Sequence, residues 1–502
     1  MTFSTPMSPK TQCDIIVIGG GSAALEAAIS AREAGARSVV MLEKAPEQES
    51  GGNARFSHTG FRFVHAGAAE LRQFLPEVDA GMFARMQIPA YGRGDFLGDL
   101  DRVTQGRIDP VLAAFLVDHS NRAVHWMREI GVRWEPEKMT EVDGKLYLPG
   151  GHHIHPVGGG PGMLAQLRAL ALEHGVEIRY RARVRAVNGN DRRVEGVRVS
   201  TPEEEYDLAS RAVIVCSGGF QANAEMRARY LGPNADLMKV RGSRHNTGEV
   251  LHALLALGAR SAGHWQGAHM SPIDGKAPSV ETPVRADGRG NTMNRYDYQF
   301  GITVNALGQR FFDEGEAKHA YTYAKTGRAV LQQPGGVAYQ IYDQTGIDLF
   351  RHGRDYPATM VEAPTLAELA RKIGIEPEPF LRTVDDYNKA CRTDVAFMAG
   401  ELDGKCTVGL TPRKSNWAEP IAKGPFRAYP ITAGVTFTFG GVQVDTRARV
   451  INTTDEPIEG LYASGDVIGL FFHNYPSCTG QTRNAVFSFL AGRHAAAMVG
   501  RN

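Results

Sequence analysis

Apolar and polar positions alternate along this chain in blocks whose period changes, and the sharpest change comes at the start. Residues 14–18 (Asp-Ile-Ile-Val-Ile) are an apolar run of strand length, followed by Gly19-Gly20-Gly21-Ser22-Ala23-Ala24. An Ala-rich, helix-forming stretch then reaches Gly35, and residues 38–42 are a second apolar run ending on Glu43. Strand, glycine turn, helix and strand in that order predict a βαβ unit. Residues 108–131 read as a helix with Trp126 and Ile130 on one face, and residues 163–174 as another. Strand text returns from 176 to 199 and in the apolar run 212–216, which ends in Ser217-Gly218-Gly219. From about 245 to 425 the chain is richer in Pro, His and Tyr, and compact strand text resumes at 441–445. The pattern predicts an α/β protein. A Rossmann-like dinucleotide domain is built from both chain ends (1–244 and 426–502), with an α+β capping domain (245–425) inserted and ligands between them.

The glycine turn carries the first chemistry. It reads G-x-G-x-x-A: Gly19 allows the tight turn, Gly21 lets backbone N–H groups approach a pyrophosphate, and Ala24 lets helix and strand pack closely. Ser22 and Ala23 open the helix, whose positive end faces the phosphates. Glu43 lies 19 residues past Ala24, where a carboxylate accepts from ribose hydroxyls. A late motif, Gly460-Leu461-Tyr462-Ala463-Ser464-Gly465-Asp466, places a second carboxylate beside the ribityl-phosphate part of a long cofactor, which favours FAD over NAD. The glycine-rich stretch 155–162 follows no clear strand, so no separate NAD(P)H domain is expected. The wall of the cofactor site is expected from Gly19, Gly21, Ser22, Ala23, Ala24, Glu43, Lys44, Gly51, Gly52, Asn53, Ser57, Ser217, Gly218, Gly465, Asp466, Gly480 and Asn484.

Bulk composition removes several other classes. The chain has 502 residues, enough for two or three domains. Lys plus Arg at 56 against Asp plus Glu at 55 gives a formal charge of +1, so net charge points to no nucleic acid partner. No long uninterrupted apolar run is present, so direct membrane insertion is not expected. The polar first dozen residues read as a flexible leader of a cytoplasmic protein. Cys13, Cys216, Cys391, Cys406 and Cys478 are scattered without metal-ligand spacing, so free thiols and no metal are expected.

Several motifs together resemble the flavoprotein-subunit family of fumarate reductases and succinate dehydrogenases. They are the glycine turn, Gly51-Gly52-Asn53 after Glu43-Lys44, Gly308-Gln309-Arg310-Phe311-Phe312-Asp313-Glu314, Phe439-Gly440-Gly441-Val442 and Gly465-Asp466, in family order over nearly the whole chain. Four segments are similar to the FAD-dependent tricarballylate dehydrogenase branch: residues 263–267, 321–325, 434–441 and 474–477. The resemblance implies a dehydrogenase passing a hydride between flavin N5 and a carbon next to a carboxylate of a small polycarboxylic acid. It also implies non-covalent FAD and a separate membrane-bound electron-acceptor protein.

The chain also departs from the family. Phe437 stands where fumarate reductases carry a His, Lys318-His319 align with their proton-delivering Arg-Asp pair, and Arg483 is displaced from their substrate Arg. The early substrate His survives as His269. Ser57-His58-Thr59 resembles the succinate dehydrogenase segment that joins flavin covalently, but the register places Asn53-Ala54 there instead. Arg suits carboxylate binding and His or Tyr suits proton transfer. The candidate catalytic set is therefore His269, Lys318, His319, Tyr321, Tyr323 and Arg483. His269 and Arg483 are expected to hold the substrate carboxylates, with Arg310 or Arg328 as alternative anchors. Two other readings stay open. Tyr475-Pro476 resembles 3-ketosteroid dehydrogenases, and the altered proton residues fit a flavoprotein electron-transfer component of a complex, as in cobalamin-pathway relatives.

Overall fold

The computed structural model describes residues 11–148, 151–285, 292–350 and 359–500. Its first sheet is organised around the strand Gln12–Ile18, apolar and buried from Ile15 onward, which runs parallel to Val39–Leu42 on one side and Glu205–Val215 on the other. Glu177–Arg179 and Pro457–Ala463 extend the parallel set at either side. Arg183–Gly189 and Val194–Ser200 form an antiparallel ribbon on the outer half of Glu205–Val215. The chain leaves the first strand to one side and returns on the other. The strand order therefore switches at the carboxyl end of Gln12–Ile18, where open α/β sheets bind ligands.

Two helices back this switch point. Ser22–Glu33 packs along Thr479–Val499, and Gly492 makes the approach possible, since a Cβ there would meet Ala27 O at 2.6 Å. The helix expected over 163–174 starts earlier, at Gly159. The glycine-rich stretch is its first turn, and a Cβ at Gly160 would lie 1.8 Å from Ala54 O, beneath the glycine loop.

A second sheet hangs on one long strand, Phe426–Thr438, which pairs with Lys239–Val240, Ala268–Asp274, Val337–Tyr342 and Val361–Ala363; Ile302–Asn305 follows at the edge. The sequence pattern groups 426–502 with the dinucleotide domain; the strand that opens this stretch pairs within the second sheet. Residues 426–438 belong to the second sheet because their alternating burial fills two apolar layers at once. One layer, with Ile302, Ile341, Leu369, Phe380 and Ala428, is a core of its own. The other, with Ala433, Val435 and Phe437, is continuous with the core of the first sheet.

Candidate active site

The carboxyl end of the first strand opens into a cavity of about 1790 Å³ running between the two sheets. Small-molecule pockets occupy roughly 300–1,000 Å³, so this space suits an extended dinucleotide with a second molecule beside it.

The backbone at the inner end is built for close approach. Gly19 has φ +121°, and a Cβ there would sit 2.4 Å from Cys216 O, so only glycine fits. Gly21 is extended (φ −81°), and a Cβ on it would come no closer than 3.6 Å to protein, at Gly51 O. Its exposed face points to whatever fills the cavity. Glu43 is buried against the turn, accepting from Ala45 N–H at 2.6 Å, and burial raises its carboxyl pKa. Lys44 donates to Thr247 Oγ1 (2.6 Å) and Glu249 Oε2 (2.5 Å). Asn53 clamps the glycine loop to the second sheet, donating to Thr436 O and accepting from Ser243 N–H and Asn246 Nδ2, both at 3.0 Å. The first turns of Ser22–Glu33 and Thr479–Val499 converge on the same space, tied by Ser22 Oγ to Gln481 Oε1 at 3.0 Å. Two positive helix ends, a glycine cradle and a carboxylate are what a flavin dinucleotide needs.

Of the expected cofactor residues, all but Ala24 line this cavity. Ala24 is fully buried and serves packing instead.

At the other end an aromatic box surrounds His269. Its ring stacks on Phe437 (5.5 Å, 3°) and stands edge-on to Tyr323 and Tyr475 (5.0 and 5.3 Å). Neither ring nitrogen has a protein hydrogen-bond partner, and burial, then nearby Arg241, pushes its pKa well below the usual imidazole range. It is a neutral imidazole facing the cavity. Tyr323 and Tyr475 share a hydroxyl hydrogen bond of 2.8 Å, and burial pushes both phenols up. Tyr323 is placed by helix Tyr323–Leu331, whose Gly327 lets it press on strand Ala268–Asp274; a Cβ there would meet the Met270 carbonyl at 2.7 Å. Lys318, His319 and Tyr321 line the wall as well, Tyr321 Oη donating to Asp99 at 3.3 Å.

Arg483 is the clear correction. It is 1% exposed and absent from the cavity wall. Its guanidinium is held by Asp466 and Asn484 and lies over the Phe437 and Phe471 rings. On the last helix, one turn in, it points behind the wall and not across the cleft. Asp466, expected beside the ribityl-phosphate part of the cofactor, lines the cavity and pairs with Arg483. The alternative anchors are also engaged: Arg310 pairs with buried Glu314, and Arg328 donates to Gln266 O.

Sequence reasoning missed Arg241. It lines the cavity, donating from Nη1 to Ser271 Oγ (2.6 Å) and Thr436 Oγ1 (3.0 Å), while its buried Nε has no partner. The nearest sequence signal is Val240-Arg241-Gly242-Ser243, ordinary loop text. It gains meaning only when Lys239–Val240 pairs with the end of Phe426–Thr438. Glu137 was also missed, and it pairs with His58 on the wall (2.6 Å).

Comparison with known proteins agrees with this architecture. The model of the FAD binding domain family matches residues 14–481. A probable fumarate reductase of Shewanella frigidimarina is 28% identical over 507 residues, covering 97% of this chain and 75% of that protein. A 3-oxosteroid 1-dehydrogenase of Mycolicibacterium smegmatis is 30% identical over 367 residues, covering 68% of this chain and 63% of that protein. The open conformation of a flavocytochrome c3 fumarate reductase superposes with a TM-score of 0.70 at 25% identity, covering 98% of this chain and 79% of that one. Among the described residues no helix is long and apolar enough to cross a membrane.

Proposed function

The chain belongs to the FAD binding domain family, as an FAD-dependent oxidoreductase of the fumarate reductase group, and on that premise we propose that it oxidises or reduces a C–C bond beside a carboxylate of a small polycarboxylic acid such as tricarballylate. Bound FAD supplies the hydride acceptor or donor. The observation that carries the substrate class is Arg241, a guanidinium fixed by two hydroxyls beside His269 and the tyrosine pair. A fork of N–H donors in that position holds a carboxylate. Neutral His269 and the Tyr323–Tyr475 hydroxyls then donate to the oxygen that gains negative charge as the neighbouring carbon loses its proton. Lys318 and His319 on the wall offer contacts for further carboxylates, and Phe437 helps to keep water from the reacting carbons. The electrons pass onward to a separate acceptor protein.

A second reading rests on the tyrosine pair itself. Two linked phenols and a neutral imidazole would also polarise a ketone, and a 3-oxosteroid dehydrogenase is among the relatives. Anaerobic mixing of the FAD-loaded protein with tricarballylate, succinate and a 3-ketosteroid separates the two. Bleaching of the flavin by the acids supports the first reading. Bleaching by the steroid alone transfers the assignment to the second.

A further inference from the structure

Two buried acceptors at one side of the cavity have nothing to accept from. Oε1 of Glu137 and Nε2 of His155 lack a hydrogen-bond partner among the described residues, although the two side chains are only 4% and 0% exposed. A single unpaired buried atom is costly, and two in one cluster call for a shared partner.

The backbone fixes their positions. Trp134–Pro136 pairs antiparallel with Ile154–Pro156, and Glu137 N–H continues the ladder to His153 O at 2.9 Å. Phe61 N–H donates to Ile154 O at 3.3 Å, which draws the chain from His58 to Phe61 against the same ribbon. His58 Nε2 then lies 2.6 Å from Glu137 Oε2. One ligand atom from each of His58, Glu137 and His155 falls within 4.8 Å of the others. These residues come from three segments, so no ligand spacing announces them in the sequence.

Their protonation suits a cation. A carbonyl only accepts, so the 3.0 Å contact of His155 Nδ1 with Pro156 O puts the ring proton on Nδ1 and the lone pair on Nε2. Metal-ligating histidines donate their second N–H to a carbonyl in this way. Burial lowers the His155 pKa, so the ring stays neutral. Burial alone would raise the Glu137 carboxyl; the His58 hydrogen bond and the imidazoles of His58, His152 and His155 outweigh it and hold it at about 2. An ion standing in place of the hydrogen between His58 and Glu137 calls on no other nitrogen of His58. Ligand atoms around one tetrahedral zinc sit roughly 3.4 Å apart, so side-chain shifts on the order of 1 Å close the three onto it. Two imidazoles and a carboxylate select a transition cation over magnesium or calcium, which take oxygen ligands. His58 and Glu137 line the cavity and fully buried His155 stands behind them, which leaves a coordination position toward the cavity.

We propose that His58, Glu137 and His155 bind one divalent first-row transition cation, represented by zinc, with a coordination position open to the cavity. Three protein ligands and an open position are the pattern of catalytic zinc sites, in contrast to the closed shells of structural ones. The ion polarises an oxygen of whatever occupies the cavity. Where the function proposed above holds, that oxygen belongs to a substrate carboxylate.

The test uses the FAD-loaded full chain, stripped of metal by dialysis against a chelator. It is titrated with zinc ions by calorimetry and with cobalt(II) by visible absorption. No substrate is involved, so the outcome is independent of the polycarboxylate reading. Zinc should bind at one equivalent per chain with a Kd at or below about 1 μM. It should also raise the melting temperature, and magnesium should do neither. Glu137→Gln should weaken zinc binding at least roughly 100-fold with FAD content unchanged. His58→Gln and His155→Gln should do the same; if His155→Gln, at a fully buried position, does not fold, the other two variants decide. Azide, a small anion that displaces metal-bound water, should shift the cobalt bands. No saturable zinc binding by the native protein, or binding that Glu137→Gln leaves intact as an adventitious ion only, overturns the proposal. Cobalt bands that ignore azide overturn the open position.

Discussion

At the residue scale, Gly21 and Arg241 mark what could and could not be read in advance. Gly21 was legible because the G-x-G-x-x-A turn imposes one backbone path, and the extended φ with open space beyond it agrees. Gly21→Val should therefore fold, since no protein atom lies closer than 3.6 Å to the new Cβ. It should bind FAD more than tenfold more weakly, a loss above about 1.4 kcal/mol. Native thermal stability of the apoprotein with depleted flavin absorbance is the expected pair of measurements, and full flavin content would mean the turn does not meet the cofactor. Arg241 carries no such local signature. It sits in an unremarkable loop, and only the pairing of Lys239–Val240 with a strand nearly two hundred positions later brings it to the cavity. Arg483 misled for the same reason. Its place after the last cofactor strand was right, but helical phase turned it onto Asp466.

At the scale of elements, hydrophobic period located the strands and helices that end in motifs and blurred those that cross between layers. Ile15 to Ile18 of the first strand and all of Val39–Leu42 are buried and read as continuous apolar runs. Phe426–Thr438 shows mixed burial because its faces serve different cores, so its text suggested a boundary where the chain has a spine. The helix Tyr323–Leu331 depends on Gly327 to keep its contact with the His269 strand. Gly327→Ala inserts a Cβ 2.7 Å from the Met270 carbonyl. Overpacking of this kind costs about 1–3 kcal/mol. The helix should be displaced and Tyr323 parted from His269, lowering kcat while FAD stays bound. A variant with native kcat and a native melting temperature would show that Tyr323 is not positioned by this contact.

For the whole molecule, part of the second sheet shares the core of the first and part keeps a core of its own, and the cavity is lined from both sheets. Burial on this scale also sets the pH range of the fold. His65 and His153, in contact at 2.9 Å, are lowered from 6.5 to about 4 and about 3, chiefly by desolvation. Below pH 6.5 the unfolded chain takes up protons that the folded chain refuses. Stability is thus full above that pH and is lost as pH falls toward about 4. The loss should be on the order of 3 kcal/mol, and urea midpoints at pH 7 and pH 5 measure it; an equal or higher midpoint at pH 5 would contradict the burial of this pair. The central claim, that Arg241 holds a substrate carboxylate while Arg483 supports the wall behind it, is tested most directly by comparing Arg241→Gln with Arg483→Gln in tricarballylate oxidation. The account predicts that Arg241→Gln keeps its FAD but raises KM at least roughly tenfold, a uniform-binding loss. Arg483→Gln, by breaking a buried ion pair, should instead lose about 3–5 kcal/mol of stability. A native KM in Arg241→Gln, with a raised KM and intact stability in Arg483→Gln, would reverse the assignment.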